Sequence, residues 1–426
     1  QSIALRIILM QKKYLMIINK MIIRTNMKCK VSNIKIKPFM SFGKMPMANG
    51  FLKKKNFKKE FFYELEVGFC PKNFLFQIND HPKSPKIFNN EYPFFTGKSD
   101  HMTKHFANFF NWLGRNDYLK KSSNCIEIGS NDGTFLHNFK KKNINATGFE
   151  PSKNVADFSK KKKLKVITKF FSYKEVSNIK NIKSKIDLIC AANVICHVPD
   201  LNDLIKAIDY ALTKDGTFVF EEPYLGSMFK KVSYDQIYDA HIFMFSAHSV
   251  RSIFKTHGFD LIDLVPQKTH GGSMRYVIAR TGAKKIKSKV EKIIKDEKKQ
   301  NLNKLKSCLE FKKKCLKSKK KFKRKILEFK KRNLTLCGYA ASAKSTTLLN
   351  YCKINSAHVD YIVDTTKEKI GKYSPGTHIP IVSSEYFRKN YPDILILFAW
   401  NHKVEIFEKE KFFSRQGGKW ISHISK

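Results

Sequence analysis

Residues 125–134 of this chain read Cys125-Ile-Glu-Ile-Gly-Ser-Asn-Asp-Gly-Thr134. The pattern is an apolar strand that ends at Gly129, a turn of small and polar residues, and a helix that begins near Thr134. Glycines let the backbone approach a ligand closely, and a helix start offers free N–H groups. A second predicted strand ends at Glu150, about 20 residues further on, where a carboxylate can accept hydrogen bonds from ribose hydroxyls. The stretch therefore predicts a nucleoside-containing cofactor at the edge of a sheet.

Apolar runs alternate with helical patterns around this loop, which predicts parallel α/β sheets. The predicted strands of the central block are Cys125–Gly129, Ala146–Glu150, Ile186–Cys190 and Gly216–Glu221. The alternation returns near the end of the chain, with predicted strands Leu334–Tyr339, Val359–Val363 and Ile394–Phe398 and a helix through Leu348–Cys352. The fold class is therefore α/β, with a small irregular module before the central domain and a second, smaller domain after it.

The composition and hydrophobic patterning of the 426 residues change at four points, which divide the chain into five segments. The predicted segments are an N-terminal extension that does not fit the pattern (1–26), the irregular module (27–87), the central domain (88–282), a basic helical linker (283–332) and the C-terminal domain (333–426). Because the first residue is Gln1, we expect a fragment or a mis-assigned start, with Met27 as the natural beginning. The apolar stretch Ile3–Met21 is broken by four basic residues, so no membrane span is expected.

The chain is strongly basic, with 82 Lys+Arg against 36 Asp+Glu and a net charge of +46. Only 10 of the 82 are Arg, whereas a surface selected for phosphate or guanine would use the bidentate Arg fork more often. The linker alone holds 23 Lys/Arg and 5 Asp/Glu, and its apolar residues recur at helical spacing, which predicts an amphipathic helix or helix pair. Contact of this linker with an acidic partner or membrane surface is the alternative to a solvated face. The charge is thus weak evidence for nucleic acid, and nine scattered cysteines favour reduced thiols in the cytoplasm.

The cofactor loop carries acidic groups, which argue against a pyrophosphate ligand and fit a sulfonium with an amino-acid tail. Here the chain resembles class I S-adenosylmethionine-dependent methyltransferases, with a Rossmann-like central domain. The loop looks like their first motif, Glu150 like their ribose-binding acid, and Ile186–Asn193 like their fourth strand with the loop that lines the methyl-transfer site. The resemblance implies these cofactor-binding residues: Glu127, Gly129, Ser130, Asn131, Asp132, Gly133, Glu150 and Asn193.

Further motifs narrow the resemblance. They are Asn193–Asp200, Glu222–Tyr224, Tyr234–His241, Thr269–Arg275, Tyr339–Lys344, Leu348–Tyr351, Pro375–Pro380 and Trp400-Asn401. Together they resemble the nucleotide-sugar C-methyltransferases, which comprise an N-terminal zinc-binding module, a methyltransferase domain and a C-terminal Rossmann-like domain. The resemblance implies methylation of carbon next to the ketone of a nucleotide-linked deoxysugar.

Such a reaction requires a base for the proton alpha to the ketone and donors for the enolate. His241 matches the family's catalytic histidine and is the predicted base; Tyr238, three residues earlier, is the predicted donor. The family's His-Glu-His cluster reads Asp239-Ala240-His241 here, so its Glu is missing. Either another carboxylate replaces it, with Asp239 or Glu222 as candidates, or the chemistry has weakened or changed.

Two regions are predicted to bind the sugar and the nucleotide. The glycine-rich turn His270–Ser273 combines close backbone approach with donors, and Ser342–Lys344 places a cation at a helix start. The predicted substrate-binding residues are Tyr224, His270, Gly271, Gly272, Ser273, Arg275, Lys344, Asn350, Trp400 and Asn401.

The N-terminal module departs from the family at its metal site. Two C-x-x-C pairs are expected, but only Cys29 and Cys70 remain, with Ser32 and Asn73 at the other positions. Two thiolates rarely suffice for structural zinc, so no metal is predicted.

The leading hypothesis is a cytoplasmic S-adenosylmethionine-dependent C-methyltransferase of a nucleotide-activated keto-deoxysugar. Methylation of oxygen or nitrogen on another small molecule, a nucleic-acid-binding protein driven by charge, and a relative that kept the fold but lost turnover remain alternatives.

Overall fold

A computed structural model of the protein describes residues 27–79, 82–90 and 92–424. The predicted extension 1–26, including Ile3–Met21, lies outside the described residues. Within the described ranges, no helix is long and apolar enough to cross a membrane.

The N-terminal module is more regular than its sequence indicates. Its elements are β1 (Pro38–Pro46), β2 (Phe62–Phe69), β3 (Phe76–Ile78) and the short helix α1 (Ser84–Ile87). The three strands pair antiparallel in the order β1-β2-β3. In β2 the apolar residues Tyr63, Leu65, Val67 and Phe69 are all buried, as the period of two in a strand allows.

The central domain contains a seven-stranded sheet with helices on its faces. Its helices are α2 (Asp100–Arg115), α3 (Leu136–Lys141), α4 (Lys153–Lys161), α5 (Tyr173–Ser177), α6 (Leu201–Ala211), α7 (Leu225–Lys231) and α8 (Ala247–Lys255). Its strands are β4 (Asn124–Ile128), β5 (Asn145–Phe149), β6 (Val166–Ile167), β7 (Ile186–Ala192), β8 (Leu212–Pro223), β10 (Phe259–Gln267) and β11 (Ser273–Arg280). The short strand β9 (Phe243–Met244) does not belong to this sheet and pairs instead with β3 of the N-terminal module.

The sheet order is β6-β5-β4-β7-β8-β11-β10. The strands run in one direction except β11, which is antiparallel to both of its neighbours, β8 and β10. Strand order reverses at β4, between β5 and β7, and in open α/β sheets a ligand binds outside the carboxyl ends of the strands at such a point. The glycine loop after β4 lies at this point of reversal. The sheet topology therefore agrees with a cofactor site at this loop.

The basic linker forms two helices, α9 (Ser288–Lys299) and α10 (Leu305–Lys331). One acidic residue joins α9 to the central domain: Glu297 is fully buried and accepts hydrogen bonds from Tyr224 Oη at 2.9 Å and from the main-chain N–H of Ala247 at 2.7 Å. In α10, Phe311 stacks on Phe229 with ring centroids 4.4 Å apart. The linker helices therefore pack on the central domain along one side.

The C-terminal domain has a five-stranded parallel sheet. Its elements are β12 (Leu336–Tyr339), α11 (Ala343–Cys352), β13 (Ile362–Val363), β14 (Ile381–Val382), α12 (Ser384–Lys389), β15 (Ile394–Leu397), α13 (Lys403–Lys409), α14 (Lys411–Arg415) and β16 (Lys419–Ile421). The strand order is β14-β13-β12-β15-β16. A second α/β unit is thus present, although its strands are shorter than the sequence pattern indicates.

Candidate active site

The glycine loop turns sharply at two glycines. Gly129 and Gly133 have φ of +67° and +76°, in the left-handed region that favours glycine. A Cβ on Gly129 would lie 2.4 Å from a methyl of Val194, so the loop packs closely on the segment that follows β7. A Cβ on Gly133 would lie 2.3 Å from Leu164. The loop therefore requires glycine at both positions.

The carboxylate of Glu150 closes the loop from the end of β5. It accepts hydrogen bonds from the main-chain N–H of Asn131 at 3.0 Å and of Ser152 at 2.8 Å. Burial raises the pKa of Glu150. This places a carboxylate beside the loop where the sequence predicts the ribose-binding acid.

Several buried polar atoms around the loop have no hydrogen-bond partner among the described residues. They are Glu127 Oε2, Ser130 Oγ and Asn193 Oδ1. Burial, together with the charges of Asp132 and Glu150, raises the pKa of Glu127 well above its usual range. Three acidic groups and two unpaired acceptors suit a ligand that carries an ammonium group, hydroxyls and a positive centre. The residues present therefore fit S-adenosylmethionine.

A segment before α2 covers the loop. Asn131 Oδ1 accepts hydrogen bonds from Thr96 N and Oγ1 at 2.9 and 3.0 Å, and Asp132 Oδ2 accepts one from Gly97 N at 2.7 Å. The side chains of Asn131 and Asp132 thus hold the covering segment, and the main chain of the loop remains beside Glu150.

The predicted base lies in a turn between the 3-10 helix Tyr234–Gln236 and β9. His241 Nδ1 lies 2.8 Å from the carbonyl oxygen of Gln236, and Nε2 lies 2.6 Å from Tyr238 Oη. A carbonyl only accepts, so Nδ1 carries the proton and Nε2 accepts from the tyrosine. Burial, and then the charge of His197, lowers the pKa of His241 well below its usual value. The imidazole is therefore neutral, with a lone pair on Nε2.

Neither candidate carboxylate replaces the missing family Glu by a direct contact to His241. Asp239 accepts from the N–H groups of Ala48 and Ala240, and burial raises its pKa to about 6. Glu222 accepts from the N–H groups of Val194 and Ile195 at 2.8 and 2.6 Å. The ring of His241 is oriented by a main-chain carbonyl instead.

A second histidine, His197 of the motif Asn193–Asp200, has no predicted role and lies beside the first. The ring centroids of His197 and His241 are 5.2 Å apart, and His197 Nδ1 lies 2.5 Å from the carbonyl oxygen of Ala240. Burial lowers the pKa of His197. Its position in the segment after β7, the methyl-transfer side of the sheet, was the available signal.

Five predicted substrate residues meet between the central and C-terminal domains: His270, Gly271, Lys344, Trp400 and Asn401. A Cβ on Gly271 would lie 2.1 Å from the Trp400 ring. Lys344 Nζ lies 4.7 Å from that ring and 2.9 Å from Asn401 Oδ1, and burial lowers its pKa to about 8. Burial, followed by the charge of Lys344, lowers the pKa of His270 to about 3, and its Nε2 has no partner among the described residues. The cleft thus places the Lys344 ammonium group beside a neutral histidine, His270.

The other predicted substrate residues already have partners within the fold. Ser273 Oγ donates to Thr269 O, Tyr224 donates to Glu297, and Asn350 Nδ2 donates to Thr346 O and Pro375 O. Gly272, with φ of +120°, accepts from Tyr224 N through its carbonyl. Arg275 donates to Glu221 through Nε and Nη2 at 3.2 and 3.0 Å. Their substrate roles stay predictions, and the structure gives each a role in holding the cleft.

A cavity of about 590 Å³ adjoins the turn that carries Asp239 and the predicted base, His241. It is lined by the turn Met47–Phe51 of the N-terminal module, by Tyr92 and Asn154 near the cofactor loop, by Asp239, and by Lys369 of the C-terminal domain. Its volume is within the range of small-molecule sites.

The four ligand positions of the N-terminal module converge without forming a zinc site. Asn73 Nδ2 lies 3.3 Å from Cys29 Sγ, and Ser32 Oγ lies 3.5 Å from Cys70 Sγ. A hydrogen bond from Cys70 lowers the pKa of Cys29. A structural zinc site uses four nitrogen or sulfur donors, and only two are present. The residues therefore do not fit a closed structural site.

Comparison with known proteins gives a match for each part of the chain. Residues 29–88 match a family described as "Putative zinc binding domain", residues 101–264 match "Methyltransferase domain", and residues 268–425 match "C-methyltransferase C-terminal domain". A relative from Streptomyces niveus, C-methyltransferase NovU, is 27% identical over 387 residues, which cover 90% of this chain and 92% of the relative.

Solved structures match the central part of the chain. A SAM-dependent methyltransferase from Archaeoglobus fulgidus is 18% identical, covers 38% of this chain and 72% of its own, and has a TM-score of 0.32. Magnesium protoporphyrin IX methyltransferase from Synechocystis is 12% identical, covers 46% and 89%, and has a TM-score of 0.33. The three family matches follow one another along the chain in the order of its three parts, so the chain is similar to C-methyltransferases of this architecture and is an S-adenosylmethionine-dependent methyltransferase.

Proposed function

We propose that the enzyme methylates the carbon alpha to the ketone of a nucleotide-linked deoxysugar, with His241 as the base. The observation that carries the proposal is the neutral, buried imidazole whose Nε2 accepts from Tyr238. A carbon acid needs a strong local acceptor for its proton, and a neutral histidine held by a carbonyl on its other nitrogen meets that need.

The proton transfer requires a rearrangement of the Tyr238 hydroxyl. When the acceptor enters, the hydroxyl turns from His241 Nε2 to the ketone oxygen, and Nε2 is freed to take the alpha proton. The electron pair of the C–H bond then moves into the enolate, whose oxygen is stabilised by the tyrosine O–H. Burial raises the pKa of Tyr238 well above its usual range, so the hydroxyl keeps its proton and remains a donor.

The cofactor loop supplies the other half of the site. Glu150 is placed to accept from ribose hydroxyls, and the unpaired acceptors of Glu127 and Asn193 can receive the amino group. When bound, S-adenosylmethionine supplies an electrophilic methyl group to the carbanion carbon. The covering segment is held on the loop by hydrogen bonds from Thr96 to Asn131 and from Gly97 to Asp132.

The cationic cleft supports an acceptor that carries a diphosphate. Lys344 and His270 lie close enough to His241 to lower its pKa, so cleft and base belong to one site. Lys231 Nζ, bound to Gly271 O at 2.5 Å, adds a second ammonium group at the domain boundary. The relative from Streptomyces niveus is called a C-methyltransferase, which supports carbon as the methyl acceptor.

The test separates proton abstraction from methyl transfer. The full chain is incubated in deuterium oxide with a panel of nucleoside-diphosphate keto-deoxysugars, with and without S-adenosylmethionine. We expect exchange of the alpha proton with one of them, and His241→Gln should reduce both exchange and methylation by about 100- to 10,000-fold. His257→Gln is the matched control, because that ring follows the end of α8 and binds Ile253 O in the last turn of the helix.

Full exchange and methylation in His241→Gln would refute the base. A product whose methyl group lies on oxygen or nitrogen, located by NMR, would replace the proposal with the alternative acceptor class.

A further inference from the structure

Three metal-binding side chains converge in the catalytic pocket. Cys196 Sγ and one ring nitrogen each of His197 and His241 lie within 4.8 Å of one another. Cys196 and His241 are buried and His197 is partly buried. No part of the proposed methyl transfer uses the thiol.

Both imidazoles are oriented as metal ligands usually are. Nδ1 of His197 donates to Ala240 O and Nδ1 of His241 donates to Gln236 O. Metal-binding histidines typically donate their second ring N–H to such a carbonyl, which fixes the tautomer and leaves the other nitrogen for the ion. Two neighbouring histidines thus present Nε2 lone pairs beside one sulfur.

The distances suit a small tetrahedral ion. Cys196 Sγ lies 3.9 Å from His197 Nε2, and tetrahedral zinc holds a sulfur and a nitrogen ligand about 3.5 Å apart. The Cys196–His197 separation is therefore within a few tenths of an ångström of the tetrahedral value, and the ligand atom of His241 lies within 4.8 Å of both. One sulfur and two imidazoles favour zinc over the oxygen-seeking calcium and magnesium.

We propose that the pocket, when free of cofactor and acceptor, binds one Zn²⁺ through Cys196 Sγ, His197 Nε2 and His241 Nε2, and that the ion inhibits the enzyme. The sulfur–zinc bond forms as the thiol proton is lost to solvent, the Tyr238 hydroxyl leaves His241 Nε2, and water completes the coordination. The ion occupies the lone pair that the proposed base needs, so inhibition follows; metal binding itself is independent of the identity of the acceptor.

The test is a titration of the metal-free full chain with Co²⁺, which reports a thiolate ligand by a sulfur-to-cobalt charge-transfer band. The titration uses a Cys70→Ala background, because Cys29 and Cys70 form a second thiol pair. We expect one equivalent of Co²⁺ with the band. Cys196→Ser should abolish the band and weaken binding at least about 100-fold, whereas Cys190→Ala, a buried thiol of β7 outside the cluster, should change neither.

Tyr238→Phe gives a second readout that a misfolded variant cannot imitate. Removal of the hydroxyl that occupies His241 Nε2 should tighten Co²⁺ binding by about 3- to 10-fold. Zn²⁺ should inhibit methyl transfer by the wild type, with reversal by a chelator, and the half-inhibiting concentration should rise in Cys196→Ser. A charge-transfer band that survives Cys196→Ser in the Cys70→Ala background, or no binding of Co²⁺ at all, would overturn the proposal whether or not the acceptor is a sugar.

Discussion

The ion pair between Arg275 and Glu221 permits a direct test of whether a predicted substrate residue is structural. The side chains are 4% and 0% exposed, and Glu221 also accepts from His105 and Thr269. Burial alone would raise the pKa of Glu221, but hydrogen bonding and charge from His105, with the charge of Arg275, lower it. The guanidinium further stacks on Phe109, 3.7 Å from its centroid. The perturbation is Arg275→Met.

The magnitude follows from the burial of the carboxylate. Methionine fills much of the volume over Phe109 but leaves Glu221 with His105 and Thr269 as its side-chain donors. Removal of one partner of a buried pair costs about 3–5 kcal/mol. For a domain of the size of the central one, this lowers the unfolding temperature by about 6–20 °C.

The assay combines unfolding with kinetics. Urea and thermal unfolding are followed by the fluorescence of Trp112, whose ring lies 4.7 Å from the Arg275 guanidinium. We expect the midpoint to fall while KM for the acceptor, measured well below that midpoint, stays within about twofold of the wild type, because the guanidinium already donates to Glu221. Arg280→Met is the matched control: it lies on the same strand and pairs with Asp209, but its side chain is 29% exposed and that of Asp209 52%. A surface pair of this kind contributes about 0–1 kcal/mol.

An unfolding midpoint equal to that of Arg280→Met, together with a KM raised tenfold or more, would refute the structural reading. That result would indicate that Arg275 contacts the substrate, as the sequence predicts.

Three further perturbations test other parts of the molecule. Gly271→Ala places a methyl group 2.1 Å from the Trp400 ring, so we expect a loss of about 1–3 kcal/mol and a raised KM for the acceptor, measured by unfolding and kinetics. Glu222→Gln removes a carboxyl whose pKa burial raises to about 7 from an ordinary 4.5. The native state then binds more protons than the unfolded state between these values, so the wild type should lose about 2–3 kcal/mol from pH 5 to 8 relative to the variant, and equal slopes in urea unfolding would contradict this. Ser32→Cys combined with Asn73→Cys should create a four-thiolate site that binds one zinc and raises the unfolding temperature reversibly with a chelator, whereas an unchanged metal content would show that the four positions do not converge.

Local sequence determined the cofactor side of the site. The strand before Gly129, the glycine positions and the acid at Glu150 all lie within a short stretch whose periodicity and turn chemistry can be read directly. The parallel sheets followed from the same alternation. Strand ends were less predictable, because β13 and β16 depend on partners distant in the chain.

The arrangement of the turn that carries Tyr238 and His241 could be predicted only in part from the sequence. His241 and Tyr238 are three residues apart, so their proximity follows from the chain, but the tautomer depends on Gln236 O and the neutral state on burial. The sequence offered Asp239 and Glu222 as substitutes for the missing Glu, and both bind main-chain N–H groups elsewhere. Where a carboxylate points depends on the packing around it.

The sequence by itself thus determined the class of enzyme, the cofactor loop and the histidine assigned as base, because short motifs carry that chemistry in consecutive residues. Only the tertiary structure decided which polar residues face the cleft. Arg275 meets Glu221 across 54 positions, Tyr224 meets Glu297 across 73, and Lys344 meets Asn401 across 57. Such pairs depend on which strands and domains become neighbours and on the free-energy cost of burying an unpaired charge. The spacing of residues along the chain predicts neither.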